Sequence, residues 1–236
     1  MPGQTRTAAA GRRRRPATPR ERKPSRRGGP RPGTDSGATR SAVFTAAAES
    51  FSRRGYDGVT VDDIAAAAGV NKAMIYYHFT DKLGLYRAVV CEMLDEAGAR
   101  VSSIVAEPVA PSRKLERFIA GFIALADKRP YFPPLMLREM SEGALHLDTE
   151  ILTRMRTVFL AFARVLEEGQ NAGEFRAIRP VLAYMSVLGP VLLNAARERA
   201  AAHPGRDRLP MFVRVAHDEL TRHMQHVALR MLSKDS

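Results

Sequence analysis

Cysteine is nearly absent: among 236 residues there is one, Cys91. That excludes a disulfide framework and any cysteine-based zinc or iron–sulfur site within one chain, and it leads us to expect a reducing, cytoplasmic setting. Long apolar runs are also missing. The longest, Tyr184–Leu193 and Phe118–Ala126, fall far short of the ~20 residues that a membrane helix needs, so no membrane partner is expected. No apolar stretch follows the N-terminal arginines, so neither a Sec nor a twin-arginine signal is expected. Strand-like alternation is lacking after residue 39, where Ala, Leu, Glu and Arg dominate, so the fold is expected to be all-α. No Ser-His-Asp order, glycine-rich phosphate loop or paired-carboxylate constellation stands out, so neither an enzyme nor a bound cofactor is expected.

Acid is scarce in two segments. Residues 1–40 hold 12 Lys and Arg against Glu21 and Asp35, a net of +10, while the other 196 residues hold 25 basic and 23 acidic groups. The formal charge of +12 thus belongs mostly to the N-terminal segment. This segment is rich in Pro, Gly, Ser, Thr and Arg, and Val43 is its first large apolar residue after Met1. Such a stretch cannot bury enough surface to offset its chain entropy, so residues 1–38 are expected to be a disordered basic tail. It is either a polycation that binds phosphates without regard to sequence or a solubilising extension. The second segment lies between Asp63 and Asp81, where no acid occurs.

From residue 39 the chain reads as helices. Val43, Phe44, Ala47, Ala48 and Phe51 form an apolar stripe at helical spacing, and Gly55 suits a left-handed helix end. Thr60-Val61-Asp62-Asp63 reads as a capped helix start. Ile64, Ala65 and Ala68 give that short helix a small apolar face, Gly69 breaks it, and Asn71 can cap the next helix, Lys72 to Phe79. Thr80 or Asp81 then caps a longer helix running to about Val105. An alanine-rich helix, a glycine-containing turn and a short polar helix have the grammar of a helix-turn-helix. Lys72, Tyr76, Tyr77, His78 and Lys82 are hydrogen-bond donors in a stretch free of acid, as a surface facing phosphates and base edges requires.

The runs Thr60-Val61-Asp62-Asp63-Ile64-Ala65, Ala68-Gly69-Val70-Asn71-Lys72 and Ile75-Tyr76-Tyr77-His78-Phe79, followed by Lys82, closely resemble the TetR family of bacterial transcriptional repressors. Upstream, Ala46 to Phe51, Gly55-Tyr56 and Thr60 match its first helix and the turn after it. The resemblance implies an N-terminal helix-turn-helix domain over 39–85 and a C-terminal helical ligand-binding and dimerisation domain over 86–236. It implies a homodimer on a palindromic double-stranded operator, released by a small molecule. By the same resemblance Thr60 caps a helix and touches a phosphate, and Lys72 and Ala73 face base edges. Met74 stands where a small or hydroxylated residue is common. Tyr76 hydrogen-bonds the DNA backbone, Tyr77 and His78 touch sugar, phosphate or a thymine methyl, and Lys82 contacts a phosphate.

Further along, helices are expected from about Pro111 to Asp127, from Pro133 to Gly143, from Asp148 to Gly169, from Pro180 onward, and from Asp207 or Pro210 to about Met231. Phe122, Met136, Met140, Met155, Phe159, Phe162 and Tyr184 are candidates to line a pocket for a largely apolar ligand, because thioethers and aromatic rings suit one. Equally, a Met/Phe stripe at helical spacing is ordinary core. Leu182, Val187, Leu188, Val191 and Leu192, with Phe212, Val215, Leu220, Val227 and Leu229, are expected to form the dimer interface. His223 and His226 share a helix face, but no carboxylate motif accompanies them, and no metal is expected. Two other readings stand beside the regulator: a sequence-independent nucleic-acid binder acting through its tail, and a helical small-molecule binder or enzyme.

Overall fold

The computed structural model describes residues 36–202, 204–206 and 210–234. The expectations placed on residues 1–35, His203 and Asp207, and on the Phe212 side chain, lie outside the described residues. The fold is all-α, as expected. Among the described residues the one β contact is an isolated bridge between Phe175 and Ser233.

Three short-to-medium helices come first: α1 (Ser36–Arg54), α2 (Val61–Ala68) and α3 (Lys72–His78). They are followed by α4 (Lys82–Ala106), α5 (Pro111–Lys128), α6 (Phe132–Ser141), α7 (Thr149–Asn171), α8 (Pro180–Ala201) and α9 (His217–Leu232), with a 3-10 turn at Pro210–Phe212 before the last. Two boundaries differ from expectation. The first helix starts at Ser36, three residues earlier than the pattern suggested. The last does not start at Pro210, which opens only the 3-10 turn; it starts at His217. Asp218 and Glu219 sit in its first turn, where their charge favours the helix dipole.

The described residues form one compact unit, built on two apolar cores. The first joins Val43, Ala47 and Phe51 of α1 and Ile64 and Ile75 of α2 and α3 to Leu85, Tyr86 and Val89 of α4. Leu135 and Met136 of α6 and Ile151 and Val158 of α7 complete it. The second joins Leu115, Phe118 and Ile119 of α5 to Phe162 and Leu166 of α7, Val187 and Val191 of α8, and Met224 and Leu232 of α9. The division expected after residue 85 falls inside α4, and the first core runs across it. The head (α1 to α3) therefore rests on the same packed core as α4, α6 and α7. Arg87 to Asp148 at 2.5 Å and Arg154 to Asp95 at 2.7 Å hold α4 and α7 side by side.

Candidate nucleic-acid interface and the cavity behind it

Local chemistry positions α3. Thr60 takes an extended backbone (φ −102°, ψ 160°), its Oγ1 accepts from the Asp63 N–H at 3.1 Å, and its own N–H donates to Asp63 Oδ2 at 2.9 Å. This reciprocal pair satisfies two donors that a helix start otherwise leaves free. Those hydrogen bonds, and secondarily the Arg54 charge at 3.3 Å, hold the Asp63 carboxyl below its ordinary range. Gly69 ends α2 with φ +66°, a left-handed conformation that glycine reaches without strain. Two residues on, Asn71 Oδ1 accepts from the Ala73 N–H at 2.9 Å and starts α3. Ile75 is fully buried and Phe79 nearly so, which pins one side of α3 against the core.

The opposite side of α3 faces out. Lys72, Ala73, Tyr76 and Tyr77 are exposed, Tyr77 most of all at 75%. Met74 and His78 are half-buried, and the His78 Nε2 is buried without a hydrogen-bond partner. Lys72 is not free in this state: its Nζ meets Asp62 Oδ2 at 2.9 Å, and that hydrogen bond raises its pKa. Lys82 lies over the Tyr56 ring, 4.1 Å from its centre, and Arg40 lies over Phe79 at 5.1 Å. Burial, and then the Asp81 and Asp57 charges, raise the Tyr56 pKa. The structure brings Lys72, Ala73, Tyr76 and Tyr77 to one exposed surface, with Thr60 at the α2 start. Pattern reasoning had no signal for the Asp62 pairing or the Lys82–Tyr56 stack, because both depend on the angle between neighbouring helices.

Behind the head lies a cavity of about 420 Å³ between α4, α5, α6, α7 and α8. Of the expected pocket residues, Phe122, Met136, Met140, Met155 and Tyr184 line it. Phe159 and Phe162 do not. Phe162 is fully buried in the second core, 5.0 Å from the Phe118 ring centre, and Phe159 is set edge-on against Tyr184 at 5.3 Å. The α7 stripe turns past the cavity, so only its Met155 and Val158 reach the wall. Met93, Leu94 and Ala97 of α4 and Met185, Leu188 and Leu192 of α8 complete much of the lining. Sequence reasoning missed these, because an apolar wall residue carries the same pattern as a core residue. Burial alone pushes the Tyr184 hydroxyl up to about 12.

The cavity and the head meet through α6. Met136 and Met140 lie in the cavity wall. Arg138 packs on Gly55 at the end of α1, so tightly that a Cβ added there would sit 2.9 Å from Arg138 Cδ, and Gly55 itself has φ +75°. The buried Glu139 accepts from the Tyr86 hydroxyl at 2.5 Å and from the His146 backbone N–H at 3.3 Å, with His146 Nδ1 at 3.0 Å. Burial first, and then that carboxylate, raise the Tyr86 pKa. Tyr86, Phe51, Tyr56 and His146 stack around this point with ring centres 4.3 to 6.0 Å apart.

The expected dimer surface needs correction. Val187 and Val191 are buried inside the protomer, Leu188 and Leu192 line the cavity, and Leu220 and Leu229 pack on the second core. Leu182 and Val227 are exposed. The exposed large apolar residues of α8 are Val181, Leu182, Met185 and Leu193, so of the expected α8 set only Leu182 faces out, and Met185 also lines the cavity. This helix is apolar on two sides, and periodicity does not say which side faces in. His217 points to Asp127, with Nδ1 hydrogen-bonded to its carboxylate.

Residues 43–89 match the model described as bacterial regulatory proteins, tetR family, and residues 111–203 match the tetracycline-repressor-like C-terminal domain. The chain belongs to the TetR family. It is a DNA-binding transcriptional regulator of the ligand-responsive type. It is 27% identical over 143 residues to the HTH-type transcriptional regulator RutR of Escherichia coli, covering 61% of this chain and 67% of that protein. Over 127 residues it is 31% identical to the HTH-type transcriptional repressor DhaR of a Mycobacterium species, covering 53% of this chain and 64% of that one. Its fold is similar to the ketosteroid transcriptional regulator KstR2 of Mycobacterium tuberculosis. There the TM-score is 0.67 at 20% identity, covering 83% of this chain and 95% of the other. These similar proteins are regulators, not enzymes. Among the described residues no helix is long and apolar enough to cross a membrane.

Proposed function

We propose that this TetR-family regulator is a cytoplasmic repressor that occupies a palindromic operator as a homodimer and leaves it when a largely apolar molecule enters the cavity. No catalytic step, cofactor or metal is assigned to it. One observation carries the reading: α6 has one face in the cavity, through Met136 and Met140, and another beneath the head, through Arg138 and Glu139. A ligand that displaces α6 necessarily disturbs the packing under Gly55 and Tyr86.

On DNA, Lys72, Ala73 and Met74 face base edges. Tyr77 and His78 touch sugar, phosphate or a thymine methyl, and Thr60, Tyr76 and Lys82 hold the backbone. Engagement requires Lys72 to exchange Asp62 for the DNA and Lys82 to swing off the Tyr56 ring. The two recognition helices of a dimer, joined through the outward face of α8, would lie one or more DNA turns (~34 Å each) apart.

The test is a gel shift on the DNA upstream of the protein's own gene, with excess competitor at ~150 mM salt, where non-specific phosphate binding is weakened. A discrete complex that survives competition and holds two protomers is expected. Only monomer complexes on palindromic DNA would refute the dimeric reading. Deleting residues 1–35 is expected to keep the sequence preference and lower the salt-dependent affinity. Loss of nearly all binding would instead support the tail-driven reading.

A further inference from the structure

We infer that the molecule filling the cavity is uncharged and carries one hydrogen-bonding oxygen, a hydroxyl or a carbonyl, that meets the hydroxyl of Tyr184. This rests on the proposal that the cavity is the ligand site, and it specifies the ligand's chemistry.

The wall decides the charge. Among the described residues that line the cavity there is no Lys, Arg, His, Asp, Glu, Asn, Gln, Ser or Thr side chain. A carboxylate or ammonium ligand would lose its hydration there and meet no opposite charge, a cost that no apolar contact repairs. A neutral skeleton loses little, and about 420 Å³ accommodates a small organic molecule of several rings or a branched chain.

Tyr184 decides the polar atom. It carries the one polar side-chain group in the described wall. Its ring is held edge-on by Phe159 at 5.3 Å and Phe162 at 5.4 Å, which fixes where the hydroxyl lies. Burial is the sole influence on the acidity of that hydroxyl: no charge and no hydrogen bond contributes to it. A phenol is both donor and acceptor, and such a group in an apolar surround is normally satisfied. A ligand hydroxyl or carbonyl satisfies it; a pure hydrocarbon leaves it unpaired. The thioethers of Met93, Met136 and Met155 adapt to different outlines. Selection therefore comes less from shape than from this one polar contact.

The test uses three fluorescent probes of one skeleton: pyrene, 1-hydroxypyrene and pyrene-1-carboxylate. Each is titrated at neutral pH into the full chain, into Tyr184→Phe and into Met155→Trp, which fills the cavity. In the native chain 1-hydroxypyrene is expected to bind about three to ten times more tightly than pyrene, the worth of one hydrogen bond. Pyrene-1-carboxylate should bind at least about tenfold more weakly than pyrene. In Tyr184→Phe the hydroxyl advantage should vanish while pyrene binding stays, which also confirms that the variant is folded.

A carboxylate that binds as well as the hydroxyl, or an advantage that survives Tyr184→Phe, overturns the inference. If Met155→Trp blocks the probes but the hydroxyl gives no advantage, the cavity remains the ligand site and only this inference falls. If no probe binds, or Met155→Trp changes nothing, the cavity reading falls with it.

Discussion

Between Thr60 and Lys82 each helix starts at a side chain that bonds a backbone N–H two or three residues on: Thr60 to Asp63, Asn71 to Ala73, Asp81 to Gly84. Between Pro111 and Ala201 three of the four helices, α5, α6 and α8, start without any side-chain cap and with a proline in the first turn. The head is specified residue by residue over a short span of chain. The body is specified by which apolar faces find each other across it. This difference matches the two tasks. A surface that reads DNA needs Lys72 and Tyr77 held in one orientation, which caps and a fixed turn provide. A wall that accepts a ligand needs only apolar side chains, and can change its lining without disturbing the helix starts.

The shared first core sets a limit to that contrast, and the largest predicted effect tests it. Phe51 is fully buried, stacks on Tyr56 and meets Tyr86 edge-on. Phe51→Ala should cost ~3–5 kcal/mol, as should Phe162→Ala in the second core. Both should melt in a single transition when helicity is followed against temperature. A separate early transition of α1 to α3 in Phe51→Ala would show that the head is an independent unit.

Next in size is recognition. Lys72→Ala combined with Tyr77→Ala should weaken operator binding by at least ~30-fold, since each lost contact is worth ~1–3 kcal/mol. Both side chains lie exposed, so the melting temperature should barely move. Retained binding in a gel shift would remove α3 as the reading element.

The capping argument predicts a smaller change. Thr60→Ala should lower stability by ~1 kcal/mol, read as a shift in the urea midpoint with an unchanged slope. No shift would mean that packing of Ile64, and not the cap, fixes the start of α2.

The smallest effect belongs to the body. The buried Lys114 ammonium donates to Glu168 at 2.7 Å and to the Val105 carbonyl at 2.8 Å. The Lys114 hydrogen bond holds the Glu168 carboxyl below its ordinary range. A carboxylate with a depressed folded-state pKa stabilises the protein fully above its unfolded pKa, and that contribution fades as pH falls through the folded value. Acid-induced loss of stability should therefore be shallower in Glu168→Gln than in the native chain, measured by urea unfolding from neutral pH downward. Identical pH profiles would show that the pair does not couple to folding.

The head's outline was legible because its signals are local. Thr60, Gly69 and Asn71 each act on backbone groups within a few residues, so their identity states their role. The α1 stripe from Val43 to Phe51 was equally plain, since one face of that helix is apolar. The cavity was half legible. Met136 and Met155 reach it, but Phe159 and Phe162, on the same stripe as Met155, turn toward Tyr184 and the second core. The α8 surface was misjudged for a related reason: Val187 and Leu182 both fit an apolar helix face, and only packing shows that one is inside and the other out. A charged residue set among apolar ones, Glu139 in α6, was the available sign of the junction under the head.

By itself the sequence determined the helical class, the caps and turn that build the head, the donor-rich and acid-free character of α3, and its likeness to a regulator family. These follow from backbone hydrogen bonding and side-chain chemistry over distances of a few residues. Only the tertiary structure decided that Lys72 is paired with Asp62, that Lys82 rests on Tyr56, that Glu139 joins Tyr86 to His146, and that Tyr184 is left as the one polar group in the described cavity wall. Each of these depends on how separate helices cross, and crossing is set by the fit of whole apolar faces, which no single residue encodes.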